Sequence, residues 1–332
     1  MNAVRLGLIG LGEMGKKHFI NCLHSEQIRL IAVSDLSKKA LLLAKKSGIK
    51  NVYRDYVQLL ENKDVEAVVI SLPTFLHREA ALKAAEYGKH VMVEKPLARD
   101  STEAEDIVFS ARKSGIKLMV GYPIRYDPVF ASLKQRLEDG KLGDVQIAVA
   151  SFISMGPFSP RGEDAVPTPV PSWWFDKNLT GGGALLDLGC HMVNLLRWYF
   201  GDIAAVQTYL GHRFNLDFED YALCYLHFKG GTKATINVGW FARYHRIQVD
   251  LYGTVMQGIA TSKVSHVSDY LKKLVSVDKS TGFYKELEYF ANCVRTDTDP
   301  MTSGEDGLQD IKIISEAYKN SIKKSRATGE TK

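Results

Sequence analysis

Along the first third of the chain, apolar residues fall in short runs: Val4 to Ile9, Ile28 to Val33, a brief one near Val52, Ala67 to Ser71, His90 to Val93 and Lys117 to Gly121. Between them, Met14 to Leu23, Lys38 to Lys46, Asp55 to Leu60, His77 to Tyr87 and Thr102 to Lys113 carry helical spacing. Continuous apolar strands are buried on both faces, and helices between them supply the crossovers of a parallel sheet. The pattern predicts an α/β Rossmann domain, a doubly wound parallel sheet over residues 1–123.

Near Asp127 the texture changes. After a helix from about Pro128 to Leu137, the segments Val145 to Ile153, Ala205 to Leu210, Tyr221 to Phe228, Thr232 to Trp240 and Arg246 to Tyr252 alternate or run in β-branched and aromatic residues. No helices separate most of them, and Lys229-Gly230-Gly231 is a hairpin signal. Residues 124–332 are therefore expected as an α+β domain with an open, mainly antiparallel sheet. It also holds a Pro/Gly-rich loop from Gly156 to Pro171 and a helical stretch from Ala184 to Tyr199. Its last helices, near Phe283 to Arg295 and from Gly307 to about Ile322, could pack back on the first domain.

The end of the first strand carries Gly10-Leu11-Gly12-Glu13-Met14-Gly15. In a G-x-G-x-x-G turn the first glycine makes the bend, the second admits a pyrophosphate and the third lets helix pack on strand. The helix that starts at Glu13 and Met14 offers free N–H groups to phosphate. Asp35, at the end of the second strand, is placed to accept ribose hydroxyls or to cap the helix that follows. A carboxylate there favours NAD over NADP, although Ser37, Lys38 and Lys39 leave NADP open.

Composition adds limits. At 332 residues with 45% hydrophobic and 24% charged content, the chain matches an ordinary two-domain soluble protein. It contains no apolar run of membrane-spanning length and no signal segment, so a cytoplasmic location is expected. The four cysteines are far apart, which suggests neither a disulfide framework nor a zinc site. The net charge of +5 comes mostly from the end of the chain, where six Lys/Arg stand against two Glu from residue 311 onward. No nucleic-acid partner is implied.

Ligands of open parallel sheets bind at the carboxyl ends of the strands. Ser71, Pro73 and Thr74 with His77 stand there, and so does Glu94-Lys95-Pro96. Lys95, next to a glutamate and held by a proline, suits a catalytic or substrate-positioning ammonium. A second group, Gly181-Gly182-Gly183 followed by Asp187 and His191, puts an acid and an imidazole four residues apart, on one helical face. Such a pair can build a general base. Both lie inside an apolar stretch.

These motifs resemble the Gfo/Idh/MocA oxidoreductases, a family that includes inositol dehydrogenase and glucose-fructose oxidoreductase. The glycine-rich turn, Glu94-Lys95-Pro96 and the span Gly182 to His191 are similar to its fingerprints. Arg125-Tyr126-Asp127-Pro128 and Gly304-Glu305-Asp306-Gly307 are similar to two further segments. The likeness covers nearly the whole chain. It implies a hydride transfer between a ring secondary alcohol and nicotinamide, on a sugar, cyclitol or nucleotide-sugar. Lys95 would polarise the hydroxyl, His191 would take its proton, and Asp187 would orient His191 or bind substrate. Arg125 and Tyr126 would lie near the substrate. A homodimer or homotetramer through the second-domain sheet is implied as well. Leu72-Pro73-Thr74, Pro123 and Asn194 depart from the family's usual residues, which bears on substrate detail.

In the loop 154–180, Trp173 and Trp174 could face a sugar ring or anchor the loop, with Arg161 or Lys177 available for a phosphate. Two other readings stay open: a dinucleotide-binding sensor or regulator without catalysis, and an isomerase or hydratase with tightly held NAD.

Overall fold

The computed structural model describes residues 3–161, 164–167, 170–214, 216–242, 244–262, 265–266 and 277–322. Six strands form the first sheet: β1 Val4–Ile9, β2 Ile28–Ser34, β3 Asn51–Tyr53, β4 Ala67–Ile70, β5 His90–Glu94 and β6 Leu118–Gly121. They run in the order β3-β2-β1-β4-β5-β6, all parallel. The order reverses beside β1, which makes the crevice between β1 and β4 a ligand position. Ile9 pairs with Ser34 and Ile70, and Ile70 pairs with Val93. The next residues, Gly10, Asp35, Ser71 and Glu94, therefore leave the sheet along one edge.

Helices α1 Glu13–Leu23, α2 Lys38–Lys46, α3 Tyr56–Glu61, α4 His77–Glu86 and α5 Ser101–Ser114 supply the crossovers. Ser37, rather than Asp35, caps α2: its side chain accepts the Ala40 N–H, while Asp35 accepts the N–H of Ser37. Short α6 Pro123–Tyr126 and then α7 Pro128–Glu138 lead into the second half.

The second sheet has β7 Val145–Ile153, β10 Ile203–Gly211, β11 Tyr221–Phe228, β12 Lys233–Gly239, β13 Tyr244–Gly253 and β14 Gln257–Thr261 in the order β10-β11-β12-β7-β13-β14. Its neighbours are antiparallel except β12 and β7, which run parallel. That pairing joins segments about 90 residues apart, beyond the reach of local patterning. Strand β14, five residues with a glycine, was too short to register as a period. The stretch expected as a loop holds a small hairpin, β8 Phe158–Arg161 with β9 Asp164–Pro167. The side chain of Arg161 lies outside the described residues, as do Lys323, Lys324, Arg326 and Lys332 of the basic end.

After α8 Lys177–Thr180, the helical stretch opens as a π turn, Leu185–Gly189, and continues as α9 Cys190–Phe200. Helix α9 is apolar nearly all round and is buried from Cys190 to Leu196, between the second sheet and the last helix. Two C-terminal helices tie the halves together. Helix α10, Gly282–Thr296, lies on α1 and α6, whereas α11, Gly304–Lys319, touches α5, β6, α9 and β10. The main apolar core is continuous from Ile70, Val91 and Val93 of the first sheet through Leu195 and Ile311 to Ala150 and Val249 of the second.

Candidate active site

The glycine turn has the shape its spacing predicts. Gly10 has φ +91°, and a Cβ there would sit 2.4 Å from the Ser71 carbonyl oxygen. A Cβ on Gly15 would lie 2.0 Å from the Gly10 carbonyl oxygen, so helix and loop meet backbone to backbone. At Gly12 a Cβ would meet nothing within 4 Å. Gly12 is the N-cap of α1 and borders open space, beside the N–H groups of Glu13 and Met14 that no helical carbonyl can reach. Asp35 Oδ2 accepts the Leu11 N–H at 2.6 Å and fixes the loop to the end of β2. The turn fits a pyrophosphate, with Asp35 beside it. Ser71 and the buried Thr74 border the same edge, behind Pro73.

Lys95 and Asp187 come from opposite halves and meet. Lys95 Nζ donates to Asp187 Oδ1 at 2.6 Å and to the Asp187 carbonyl oxygen at 3.1 Å. A lysine ammonium has three protons, so one remains for a ligand. Burial pulls Lys95 down, but the charge and hydrogen bond of Asp187, joined by Cys190 and Glu94, together more than offset it and carry the lysine above its usual range. The peptide bond between Lys95 and Pro96 is cis.

His191 lies in α9 with its ring against Phe152 (centroids 5.6 Å apart) and at right angles to Tyr122 (5.9 Å). Its Nδ1 is buried without a partner, which leaves Nε2 for proton transfer. Burial, then the charges of Lys95 and His245, hold the imidazole well below its usual range. It is neutral near pH 7, as a base must be. The expectation that Asp187 orients His191 is corrected. Asp187 gives Oδ1 to Lys95 and Oδ2 to the Trp240 indole N–H at 3.2 Å. A π turn winds more residues per turn than an α-helix, so positions four apart no longer share a face.

Four other expected ligand contacts are also corrected. His77 is buried, with Nδ1 on the Pro96 carbonyl and Nε2 on the Leu72 carbonyl, both at 2.9 Å; it joins two strand-end loops and has no nitrogen left for a dinucleotide. The Glu94 carboxylate turns inward, with Oε1 on His18 Nε2 at 2.6 Å and Oε2 accepting the Lys95 N–H at 3.2 Å. Arg125 donates to the Asn194 carbonyl at 2.8 Å and pairs with Asp306 at 2.8 Å; it is 4% exposed and cross-links α6, α9 and α11. Tyr126 is buried with its hydroxyl on Thr302.

Trp173 and Trp174 are partly buried and stacked, their centroids 5.1 Å apart; Trp173 meets Phe75 of the first half and Trp174 meets Trp240. They anchor the loop toward the site. The three glycines serve the protein itself, since a Cβ on Gly183 would lie 1.8 Å from the Glu219 carbonyl oxygen. Trp240, Phe152 and His245 escaped the sequence reading. A tryptophan closing an alternating strand was the available signal for Trp240, because a buried indole needs a partner for its N–H.

An oxidoreductase family with an NAD-binding Rossmann fold matches residues 4–122, and the GFO/IDH/MocA C-terminal domain matches residues 130–256. The chain belongs to the Gfo/Idh/MocA family. Members of this family similar to it include the scyllo-inositol 2-dehydrogenase (NAD(+)) of Bacillus subtilis strain 168, 29% identical over 331 residues, 93% of this chain and 92% of that one. The myo-inositol 2-dehydrogenase of Thermotoga maritima is 25% identical over 344 residues, 98% of each chain. A levoglucosan dehydrogenase solved with NADH and levoglucosan superposes with a TM-score of 0.81, covering 96% of this chain and 97% of that one at 22% identity, which shows the shared fold. The chain is thus an oxidoreductase whose first domain binds NAD. Among the described residues no helix is long and apolar enough to cross a membrane.

Proposed function

We propose that this protein is an NAD-dependent dehydrogenase that oxidises a ring secondary alcohol of a sugar or cyclitol. The observation that carries the reading is the meeting of Lys95 with Asp187 across the two halves, beside a neutral His191. Family members that act on inositols support the substrate class.

NAD supplies the hydride acceptor. The loop Gly10 to Gly15 would hold its pyrophosphate, and Asp35 its adenosine ribose, with a charge that disfavours the extra phosphate of NADP. Lys95 would donate its remaining N–H as a hydrogen bond to the reacting oxygen and stabilise the negative charge that develops there. His191 Nε2 would accept the hydroxyl proton. Because these groups stand on different halves, the substrate would be held only when both are in register.

The test is a panel of scyllo-inositol, myo-inositol, levoglucosan and UDP-sugars, read by NADH absorbance. At least one member should reduce NAD with the wild type, and Lys95→Ala and His191→Ala should be slower by about a hundredfold or more. Unchanged rates in both variants would remove the assigned roles. The outer face of the second sheet exposes Ile147, Leu223, Tyr225, Tyr252 and Ile259, and we infer that a second copy covers it. Tyr252→Arg should then shift the sedimenting species toward a monomer.

A further inference from the structure

The two oxygens of Asp187 have different owners, and one of them is a rigid ring. Trp240 is 1% exposed, and its main-chain N–H donates to the Asp220 carbonyl at 2.9 Å. Its indole meets Phe218 edge to face (6.3 Å, 89°) and Trp174 likewise (6.3 Å, 69°). The Gly156 backbone presses on it so closely that a Cβ there would lie 2.2 Å from Cγ. A side chain packed this tightly has no second rotamer open to it. The direction of its N–H is therefore fixed, and that direction is Asp187 Oδ2.

We propose that Trp240 is a positioning residue whose indole N–H holds Asp187 on Lys95 and off His191, so that ammonium and imidazole act as separate groups. The consequence for turnover rests on the dehydrogenase reading above; the geometry does not. A carboxylate gripped at one oxygen by a fixed donor cannot rotate, so its other oxygen stays with Lys95 Nζ. Released, it could swing toward His191. It would then stabilise the imidazolium and leave the ammonium without its partner.

The charged groups that reach His191 are Lys95 from the end of β5 and His245 from β13, and Asp187 of the π turn stands on Lys95 Nζ. Tyr122, at the junction of β6 and α6, and Phe152 of β7 pack on its ring. Of these, Asp187 is the carboxylate whose orientation a change at Trp240 alters.

Trp240→Phe keeps the bulk of the ring and removes the donor. In protein carrying isotope-labelled histidine, the titration of His191 followed by NMR should move up by about one pH unit or more, as expected when a carboxylate comes within reach. With NAD and scyllo-inositol or myo-inositol, kcat should fall about tenfold while KM for NAD stays within about twofold, and the acid limb of kcat/KM should move with the titration. A His191 titration that coincides with the wild type in folded Trp240→Phe overturns the proposal. The NMR arm needs no substrate, so a moved titration together with a wild type inert toward both inositols would tell against the substrate class alone. If Trp240→Phe does not fold, the indole N–H spectrum of the four tryptophans serves instead. Asp187→Asn must shift the Trp240 resonance, and an unshifted one refutes the contact.

Discussion

Alanine at two glycines of the first loop separates cofactor binding from folding. Gly12 has φ −61°, a value any residue adopts, and a Cβ there meets no protein atom within 4 Å. Gly12→Ala should therefore leave stability within about 1 kcal/mol of the wild type, with the entropy of the unfolded chain favouring alanine slightly. The open space it fills is the space assigned to the pyrophosphate. An added methyl in a fitted site costs about 1–3 kcal/mol, so the Kd for NAD should rise by about fivefold to 150-fold. Gly15→Ala is the opposite case, because its Cβ would fall 2.0 Å from a backbone oxygen that cannot move without displacing Gly10. It should lower Tm by several degrees as well as weaken NAD. Calorimetry for NAD and a thermal melt on each variant provide the assay. A Gly12→Ala protein that binds NAD like the wild type would refute the placement of the pyrophosphate.

Three further outcomes follow from the buried charges. Both oxygens of the Glu286 carboxyl are buried and unpartnered, and burial, reinforced by Glu94, raises its pKa well above the usual range. An unfolded glutamate titrates near pH ~4.3, so this contribution to stability is intact below that pH. It is lost at about 1.4 kcal/mol per pH unit as the pH rises toward the folded value. Glu286→Gln escapes that loss, so its melts should gain on the wild type from pH 5 to pH 8; a gap that does not change with pH would contradict this. Arg125→Met breaks the buried pair with Asp306 and should cost about 3–5 kcal/mol in denaturant titrations while leaving KM for the polyol unchanged. A raised KM at unchanged stability would return Arg125 to the substrate. Because His191 is held low, kcat/KM for oxidation should persist below the ordinary histidine value of about 6.5 before it falls; an acid limb at or above that value would contradict a neutral, depressed imidazole.

The first domain was legible because its strands are buried on both faces and so appear as unbroken apolar runs, and because each crossover helix keeps its own period. Gly10 to Gly15, Asp35 and Lys95 were legible for a related reason: strand ends of a parallel sheet are marked by where the apolar runs stop. Polar residues beyond β6 were harder. Arg125 and Tyr126 have the composition of a site, yet the fold spends them on Asp306, Asn194 and Thr302, partners 69 to 181 residues away in the chain. Nothing local distinguishes a cross-linking arginine from a ligand-binding one. The Asp187 and His191 spacing pointed to the segment that meets Lys95 but assigned Asp187 a different partner, since a single π turn redirects it to Lys95 and Trp240. Long-range pairing likewise hid the parallel contact of β12 with β7 and the approach of His245 to Phe152.

The most direct test of the central claim is rapid mixing of NAD and the polyol panel with wild type, Lys95→Ala and His191→Ala, following NADH in the first turnover. The account predicts a fast phase in the wild type that both variants lose while still binding NAD. A wild type that forms no NADH with any ring polyol, or variants that keep the fast phase, would contradict it.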